Sequence, residues 1–187
     1  GVGKTTLSHI VAKSLRREFF TLSAVSAGVK DVREVIDRAR SNSLFSGEGA
    51  PVLFIDEIHR FSKSQQDALL GAVEDGTVVL IGATTENPSF EVITPLLSRC
   101  QVFVLKSLGK DDLQQLLNRA LSEDELLIHK NIEIRETDAL FRHSSGDARK
   151  LLNILEIVVN SFTDGKSAVI DNKTVTGCLQ ENTAIYD

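Results

Sequence analysis

The sequence is 187 residues long, which is the size of one to one and a half domains. Hydrophobic residues make up 42% of it, enough to bury a core, and this composition excludes a disordered chain. The net charge of −5 excludes binding of polyanions through overall charge, although the 21 lysines and arginines can still form a basic patch on one face.

Four short apolar segments predict buried β-strands. Each is rich in β-branched or aromatic side chains and is bounded by turn-forming or polar residues. They cover residues 20–25, 52–55, 78–83 and 102–105. Apolar residues at helical spacing precede and separate them, at residues 5–17, 31–40 and 64–73. Strands that alternate with helices predict an α/β fold in which helices sandwich a parallel sheet.

The apolar pattern changes after residue 105. Residues 110–122, 136–143 and 148–162 carry apolar side chains at helical spacing, and no further strand is predicted. Gly165 and Asn172 are predicted to lie in turns. We therefore predict one domain at residues 1–107. A small all-helical domain, with the start of a C-terminal region, is predicted at residues 108–187.

The chain begins with a glycine-containing segment that leads into a predicted helix. The segment matches the second half of the P-loop pattern G-x-x-x-x-G-K-[ST] with the residues Gly1, Val2, Gly3, Lys4, Thr5 and Thr6. In such a loop, backbone N–H groups surround phosphate oxygens at a helix N-terminus. Lys4 is predicted to reach the β- and γ-phosphates of ATP, and the Thr5 hydroxyl to bind Mg²⁺.

Two acidic residues, Asp56 and Glu57, follow the predicted strand at residues 52–55. Ligands of open α/β sheets bind at the carboxyl ends of the strands, where these acids are placed. Asp56 is predicted to hold Mg²⁺ through its water shell, and Glu57 to orient and deprotonate the attacking water. The alternative is a pair of acids in a surface turn. Because the P-loop segment precedes them, nucleotide hydrolysis is the preferred interpretation.

Further motifs follow these acids in a fixed order. They are DEIHRF at 56–61, QQD at 65–67, EDGTVVLIGATTENPSFE at 74–91, LLSRC at 96–100 and SGDAR at 145–149. This order resembles the AAA+ superfamily of P-loop ATPases. Within it, the motifs resemble the replication-associated recombination protein A family, whose eukaryotic members are the Werner helicase-interacting ATPases. The resemblance covers essentially the whole chain and is most specific in TTENPSFE.

The resemblance implies roles for several more residues. Thr85 takes the place of sensor 1, which reads the γ-phosphate, and Asn87 is the nearby alternative. Arg99 matches the finger that reaches into the site of a neighbouring subunit, and Arg149 matches sensor 2 of the helical lid. Without the resemblance, both arginines would be read as ordinary surface residues. Ser23 stands where an asparagine that restrains the catalytic glutamate is expected.

The resemblance also implies a function. It implies ATP hydrolysis with Mg²⁺ by a homo-oligomeric ring that acts on DNA at stalled replication forks, in recombination and damage tolerance. The implied partners are single-stranded or forked DNA and the single-strand DNA-binding protein. A clamp-loader subunit and a Holliday-junction branch-migration motor are alternatives. A nucleotide-binding scaffold that does not hydrolyse ATP is the alternative of another class.

The same family pattern implies that the chain is a fragment. The strand that leads into the P-loop, in the middle of the sheet, and a C-terminal oligomerisation region are expected outside residues 1–187. Within them, Cys100 and Cys178 lack metal-binding spacing and indicate a reducing compartment. The four histidines, His59 among them, are scattered without ligand spacing. With no apolar run near the ~20 residues of a membrane span, the predicted location is the bacterial cytoplasm, at the nucleoid, or a eukaryotic nucleus.

Overall fold

The computed structural model describes residues 2–46, 49–162 and 167–184, with the backbone alone at 42–46 and 182–184. The chain divides into two compact units, the first covering Lys4–Val104 and the second built on the chain from Leu105 onward. Among the helices that are described, none combines the length and the apolar composition of a membrane span.

The first unit contains a three-stranded parallel sheet in the order β1-β2-β3. The strands are β1 (Phe19–Ser23), β2 (Val52–Asp56) and β3 (Val79–Gly82). The register pairs Ser23 with Asp56 and Ile55 with Gly82, so that the three carboxyl ends lie along one edge of the sheet. This edge is therefore where the predicted acidic residues of β2 meet the segment that follows β3.

Helices cover both faces of this sheet, as predicted for the α/β class. On one face, buried apolar residues of α2 (Val29–Ser46) and α3 (Lys63–Glu74) pack against Leu53 and Ile55. On the other face, His9 of α1 (Lys4–Ser14) contacts Phe19, and Phe19 stacks on Phe54 with 6.0 Å between ring centroids. Residues Val52–Ile55 are fully buried, which explains the unbroken apolar run in the sequence.

Shorter helical elements follow both β2 and β3. A 3₁₀ turn (Ile58–Arg60) follows β2, and the short helices α4 (Pro88–Glu91) and α5 (Thr94–Leu97) follow β3. A capping box between Ser62 and Gln65 begins α3, because each side chain bonds the backbone N–H of the other residue. The 3₁₀ turn and the capping box thus lead the chain from the carboxyl end of β2 into α3.

Residues 102–105 do not form the strand that the sequence predicts. Their side chains are 51, 74, 84 and 37% exposed, in chain order. Apolar composition favours burial, but a strand also requires hydrogen bonds to a neighbouring strand. No strand within the described part of the chain pairs with this segment. The prediction of a fourth strand is therefore wrong for this structure.

The second unit is mainly helical. Its helices are α6 (Lys110–Glu123), α7 (Asp138–Ser144), α8 (Ala148–Asn160) and α9 (Asn172–Ala184). Leucine, isoleucine and valine side chains of α6, α7 and α8 form its core, and Val175 of α9 joins them. Three of these helices match the predicted segments at residues 110–122, 136–143 and 148–162.

The description of the second unit as all-helical is wrong in one respect. Two three-residue strands, β4 (Ile132–Ile134) and β5 (Ala168–Ile170), pair in parallel. Each is shorter than the four-residue runs by which strands are recognised in a sequence. Asn172, predicted in a turn, begins α9, and its side-chain oxygen accepts a 2.7 Å hydrogen bond from the Ala139 N–H. Gly165, the other predicted turn residue, lies outside the described residues.

Gly146 lies in the turn before α8, where only glycine fits. Its φ is 75°, and the Leu108 N–H donates a 2.9 Å hydrogen bond to its carbonyl oxygen. A Cβ atom at this position would lie 2.7 Å from the Ser107 Cβ and 2.9 Å from the Leu108 carbonyl oxygen. The turn therefore depends on close contact between two backbone segments.

We expect Gly146→Ala to lower the free energy of unfolding by about 2–4 kcal/mol, because it combines a left-handed backbone with a steric clash. Urea unfolding of the full protein measures the change. The control is Gly177→Ala within α9, where a Cβ meets nothing within 4 Å. That variant should gain up to about 1 kcal/mol, since alanine favours helices. Equal stabilities of the two variants would contradict the steric argument.

Candidate active site

Lys4 is the first residue of α1, and its side chain reaches the carboxyl edge of the sheet. Its Nζ donates a 2.8 Å hydrogen bond to the carbonyl oxygen of Thr84, two residues beyond the end of β3. Gly3, directly before it, has a φ of 88°, which favours glycine. Thr5 and Thr6 are exposed in the first turn of the helix. Val2 precedes them, and Gly1 lies outside the described residues.

Asp56 and Glu57 end β2 at the same edge. Asp56 is the last residue of the strand and is half-buried. Glu57 then adopts φ 54° and ψ 46°, a left-handed conformation that is uncommon for residues other than glycine. The Ile58 N–H donates a 2.9 Å hydrogen bond to the Ala83 carbonyl oxygen, which holds the turn against the end of β3. The turn thus directs Glu57 away from the line of the strand.

Two side chains contact one oxygen of the Glu57 carboxylate. The Thr85 hydroxyl donates a 3.2 Å hydrogen bond to Oε2, and the Nδ1 atom of His59 lies 3.3 Å from the same oxygen. The Thr84 hydroxyl lies 2.9 Å from that Nδ1. The structure therefore brings Lys4, Glu57 and Thr85 to one edge, as expected from the sequence, and adds Thr84 and His59 to them.

The sequence does not predict His59 and Thr84 as site residues, because the histidines lack metal-ligand spacing and no motif role falls on Thr84. Their positions in the chain are the signal that could have identified them. His59 follows Glu57 by two residues, and Thr84 directly precedes Thr85. A turn after one strand and a segment after its neighbour converge at a shared carboxyl edge. That convergence makes contact between them predictable in principle.

Two other residues considered for this edge have different contacts. The side-chain oxygen of Asn87 accepts a 3.1 Å hydrogen bond from the Ser89 N–H and caps α4. Thr85, not Asn87, therefore contacts Glu57. Ser23 is paired with Asp56 across the sheet, and within the described part of the chain its side chain makes no hydrogen bond to Glu57.

Arg99 follows α5, and its side chain contacts other residues of this chain. Its Nη2 lies 2.5 Å from the Glu74 Oε1 at the end of α3, and its Nη1 donates a 2.7 Å hydrogen bond to the Pro95 carbonyl oxygen. Both charged side chains are 42% exposed. Among the described residues, Arg99 makes no contact with Lys4 or Glu57. Its partly exposed guanidinium is therefore paired with Glu74 and the Pro95 carbonyl oxygen.

Arg149 lies in the second unit, in the first turn of α8, and is exposed. Asp147 caps this helix, because its side-chain oxygen accepts a 2.9 Å hydrogen bond from the Lys150 N–H. The turn formed by Ser145 and Gly146, both with positive φ, sets the start of the helix. Arg149 is thus carried by a rigidly capped helix rather than by a loop.

The residues at the carboxyl edge suit a magnesium–phosphate ligand. Lys4 has a neutral carbonyl partner, and no carboxylate pairs with it among the described residues, so its charge remains available to a phosphate. Thr5 and Asp56 supply the oxygen donors that Mg²⁺ prefers. Groups of three or more potential metal-binding side chains are absent from the residues described. Mg²⁺ needs no such group, because nucleotide phosphates and water complete its shell.

A parallel sheet with a Gly-Lys-Thr helix start beside an Asp-Glu pair is the core of a P-loop nucleotide-binding protein, and family comparison agrees. The model of the ATPase family associated with various cellular activities (AAA) matches residues 1–108. The model of the AAA C-terminal domain matches residues 128–187. The chain belongs to the AAA ATPase family.

Comparison with individual proteins confirms the narrower resemblance. The chain is 43% identical to replication-associated recombination protein A of Haemophilus influenzae and 42% identical to ATPase WRNIP1 of Dictyostelium discoideum, with 100% of this chain covered in each case. It spans 42% and 23% of the lengths of these relatives. Among solved structures, it is similar to the RuvB Holliday junction branch migration motor of Thermotoga maritima, with a TM-score of 0.74 and 30% identity. That match covers 96% of this chain and 58% of the other.

Proposed function

We propose that this chain is the ATP-hydrolysing module of a homo-oligomeric ring that acts on DNA. One observation carries the catalytic part of the proposal: Lys4, the Asp56-Glu57 pair and Thr85 meet at one carboxyl edge of a parallel sheet. Parallel α/β sheets bind their ligands at this edge. Membership in the AAA family supports ATP as the nucleotide.

Each residue at this edge has a proposed role. Backbone N–H groups of the segment from Gly1 to Thr6 surround the phosphates, and Lys4 exchanges its Thr84 carbonyl partner for phosphate oxygens. Thr5 and Asp56 hold Mg²⁺, directly and through water. When bound, Mg²⁺ neutralises part of the charge on the phosphates. Glu57, oriented by Thr85, accepts a proton from the attacking water.

The two proposed domains, residues 1–107 and residues 108–187, contribute one arginine each. Arg99 contacts Glu74 and the Pro95 carbonyl oxygen of its own chain, and among the described residues it contacts neither Lys4 nor Glu57. This arrangement supports action of Arg99 on the nucleotide of a neighbouring subunit. Arg149, at the capped start of α8, is proposed to act as sensor 2 on the phosphates of its own subunit. Both roles follow the family pattern described above.

The names of the relatives support the DNA substrate. Replication-associated recombination is the process named for the bacterial relatives, and we propose action on forked or single-stranded DNA, together with the single-strand DNA-binding protein. The proposed location is the bacterial nucleoid or a eukaryotic nucleus. Branch migration of Holliday junctions is the second candidate, because the RuvB fold matches 96% of the chain. The identity of 43% to the recombination protein favours the first.

The catalytic proposal is tested by measuring ATP binding and turnover of the full wild-type protein and of its Lys4→Ala variant. Lys4→Ala should weaken ATP binding about 10- to 100-fold, because it removes a charge-assisted hydrogen bond to phosphate. The control is Lys13→Ala in the last turn of the same helix, which should bind ATP like the wild type. A wild-type protein that binds ATP without turnover would establish the scaffold alternative.

The choice of DNA is tested separately, by ATP turnover in the presence of forked DNA, four-way junctions or blunt duplex of equal length. We expect forked DNA to stimulate turnover most. Stimulation by four-way junctions alone, with movement of the branch point, would support the branch-migration alternative instead.

A further inference from the structure

His59 lies between the Glu57 carboxylate and the Thr84 hydroxyl. Its Nδ1 is 3.3 Å from the Glu57 Oε2 and 2.9 Å from the Thr84 Oγ1. The imidazole is only 15% exposed, and the 3₁₀ turn that carries it begins directly after Glu57. The same nitrogen therefore faces both the proposed catalytic carboxylate and the segment after β3.

The carboxylate determines which tautomer fits this position. A neutral imidazole has one nitrogen that donates and one that accepts. An accepting Nδ1 would place its lone pair against the negative charge of Glu57, whereas an Nδ1–H is attracted to it. The position of the carboxylate therefore favours a proton on Nδ1, which is hydrogen-bonded to the Thr84 Oγ1 and lies beside the Glu57 Oε2.

The hydrogen bond with Thr84 also restrains the imidazole ring of His59. The Thr84 hydroxyl oxygen accepts a 3.0 Å hydrogen bond from the Glu86 N–H, so the oxygen beside His59 is held by backbone. The Ile58 N–H, bonded to the Ala83 carbonyl oxygen, ties the other side of the turn to the same segment. His59 is thus held both by Thr84 and by the backbone of its own turn.

We propose that His59 is a positioning residue for Glu57, acting through its Nδ1–H. This inference rests on the proposed role of Glu57 in ATP hydrolysis. Thr85 donates a hydrogen bond to Oε2, and the protonated Nδ1 of His59 lies 3.3 Å from the same oxygen and attracts its negative charge. Together they favour one orientation of the carboxylate at the edge where the attacking water binds. His59 touches neither ATP nor water in this role, and its effect is exerted on turnover rather than on nucleotide binding.

Three substitutions of His59 in the full protein test the proposal. The side-chain amide of asparagine occupies the place of Nδ1, and that of glutamine reaches the place of Nε2. We expect His59→Ala and His59→Gln to lower kcat about 10- to 100-fold, as expected when a catalytic group is misplaced by about 1 Å. His59→Asn should recover most of the wild-type kcat. Binding of a non-hydrolysable ATP analogue should change less than about 2-fold in all three variants.

The asparagine–glutamine comparison keeps the proposal testable even if His59→Ala fails to fold. A wild-type kcat for His59→Gln, equal losses in the asparagine and glutamine variants, or a loss confined to ATP binding would each overturn it. A double variant adds a further check: His59→Ala should cause no further loss in a Glu57→Gln background, because its effect acts through Glu57. An additional loss in that background would also overturn the proposal.

The single variant Glu57→Gln separates this inference from the proposed function on which it rests. If Glu57→Gln turns over ATP like the wild type, the proposed role of Glu57 fails. If Glu57→Gln is inactive while His59→Gln is fully active, only the positioning role of His59 fails.

Discussion

Arg99→Ala is expected to bind ATP with nearly wild-type affinity and to hydrolyse it about 10³-fold or more slowly. An arginine supplied across a subunit interface neutralises charge that develops on the transferred phosphoryl group, and such fingers contribute about 10³–10⁵ in rate. In this structure the guanidinium contacts Glu74 and the Pro95 carbonyl oxygen. Steady-state turnover and equilibrium binding of ATP by the assembled full protein measure the two effects.

Glu74→Ala distinguishes this role from an ordinary ion pair. It removes the same Arg99–Glu74 contact but leaves the arginine in place. If Arg99 mattered only for that contact, the two variants would lose equal activity, and the loss would be small, because exposed ion pairs contribute about 0–1 kcal/mol. We expect Glu74→Ala to retain far more turnover than Arg99→Ala.

Mixed rings test whether Arg99 acts on the neighbouring subunit. Arg99→Ala subunits retain an intact P-loop, and Lys4→Ala subunits retain an intact arginine. In a mixed oligomer, some interfaces pair an intact site with an intact Arg99, so part of the activity should return. A mixture that assembles but remains as inactive as its components would show that Arg99 does not act between subunits.

Glu57→Gln is expected to bind ATP and to lose about 10²-fold or more of its turnover. Positioned general bases typically contribute that much. Glutamine retains the size of the side chain and can still contact Thr85, but it cannot accept the proton of the attacking water. ATP binding should persist, since Lys4, Thr5 and Asp56 are unchanged.

The matched control for this variant is Glu34→Gln on α2. Glu34 is 54% exposed and forms a 2.7 Å ion pair with Arg38 in the same helix. Neutralising it changes the net charge by the same amount at a surface position, and turnover should be unaffected. Equal turnover in Glu57→Gln and Glu34→Gln would remove Glu57 from the mechanism.

The sequence predicts well the parts of the fold that depend on local pattern. The strand at Val52–Asp56 and the helices α3, α6, α7 and α8 are close to their expected bounds, because their apolar spacing is long and regular. The meeting of Lys4, Glu57 and Thr85 is also predictable, since parallel strands bring their carboxyl ends to one edge. The first of these predictions needs only the chain within a few residues, and the second needs only the parallel order of the strands.

Other features depend on contacts that no local pattern contains. Residues 102–105 are apolar enough for a strand but have no partner strand among the described residues. The pairing of β4 with β5 joins segments more than thirty residues apart. The contact of His59 with Glu57 depends on a left-handed turn, and that of Arg99 with Glu74 on the ends of two helices. Sequence reasoning identifies Glu57 and Arg99 as site residues but not their partners His59 and Glu74.

The left-handed backbone of Glu57 has a consequence for the stability of the fold. A residue with a Cβ atom loses roughly 1–2 kcal/mol in this conformation, whereas glycine adopts it readily. Glutamate at φ 54° therefore lowers the free energy of unfolding in order to place a carboxylate at the sheet edge. Glutamine at the same position retains the whole of this strain. The proposed chemistry thus requires a backbone conformation at Glu57 that lowers the stability of the module. The buried strand β2, directly before Glu57, has to hold that conformation in place.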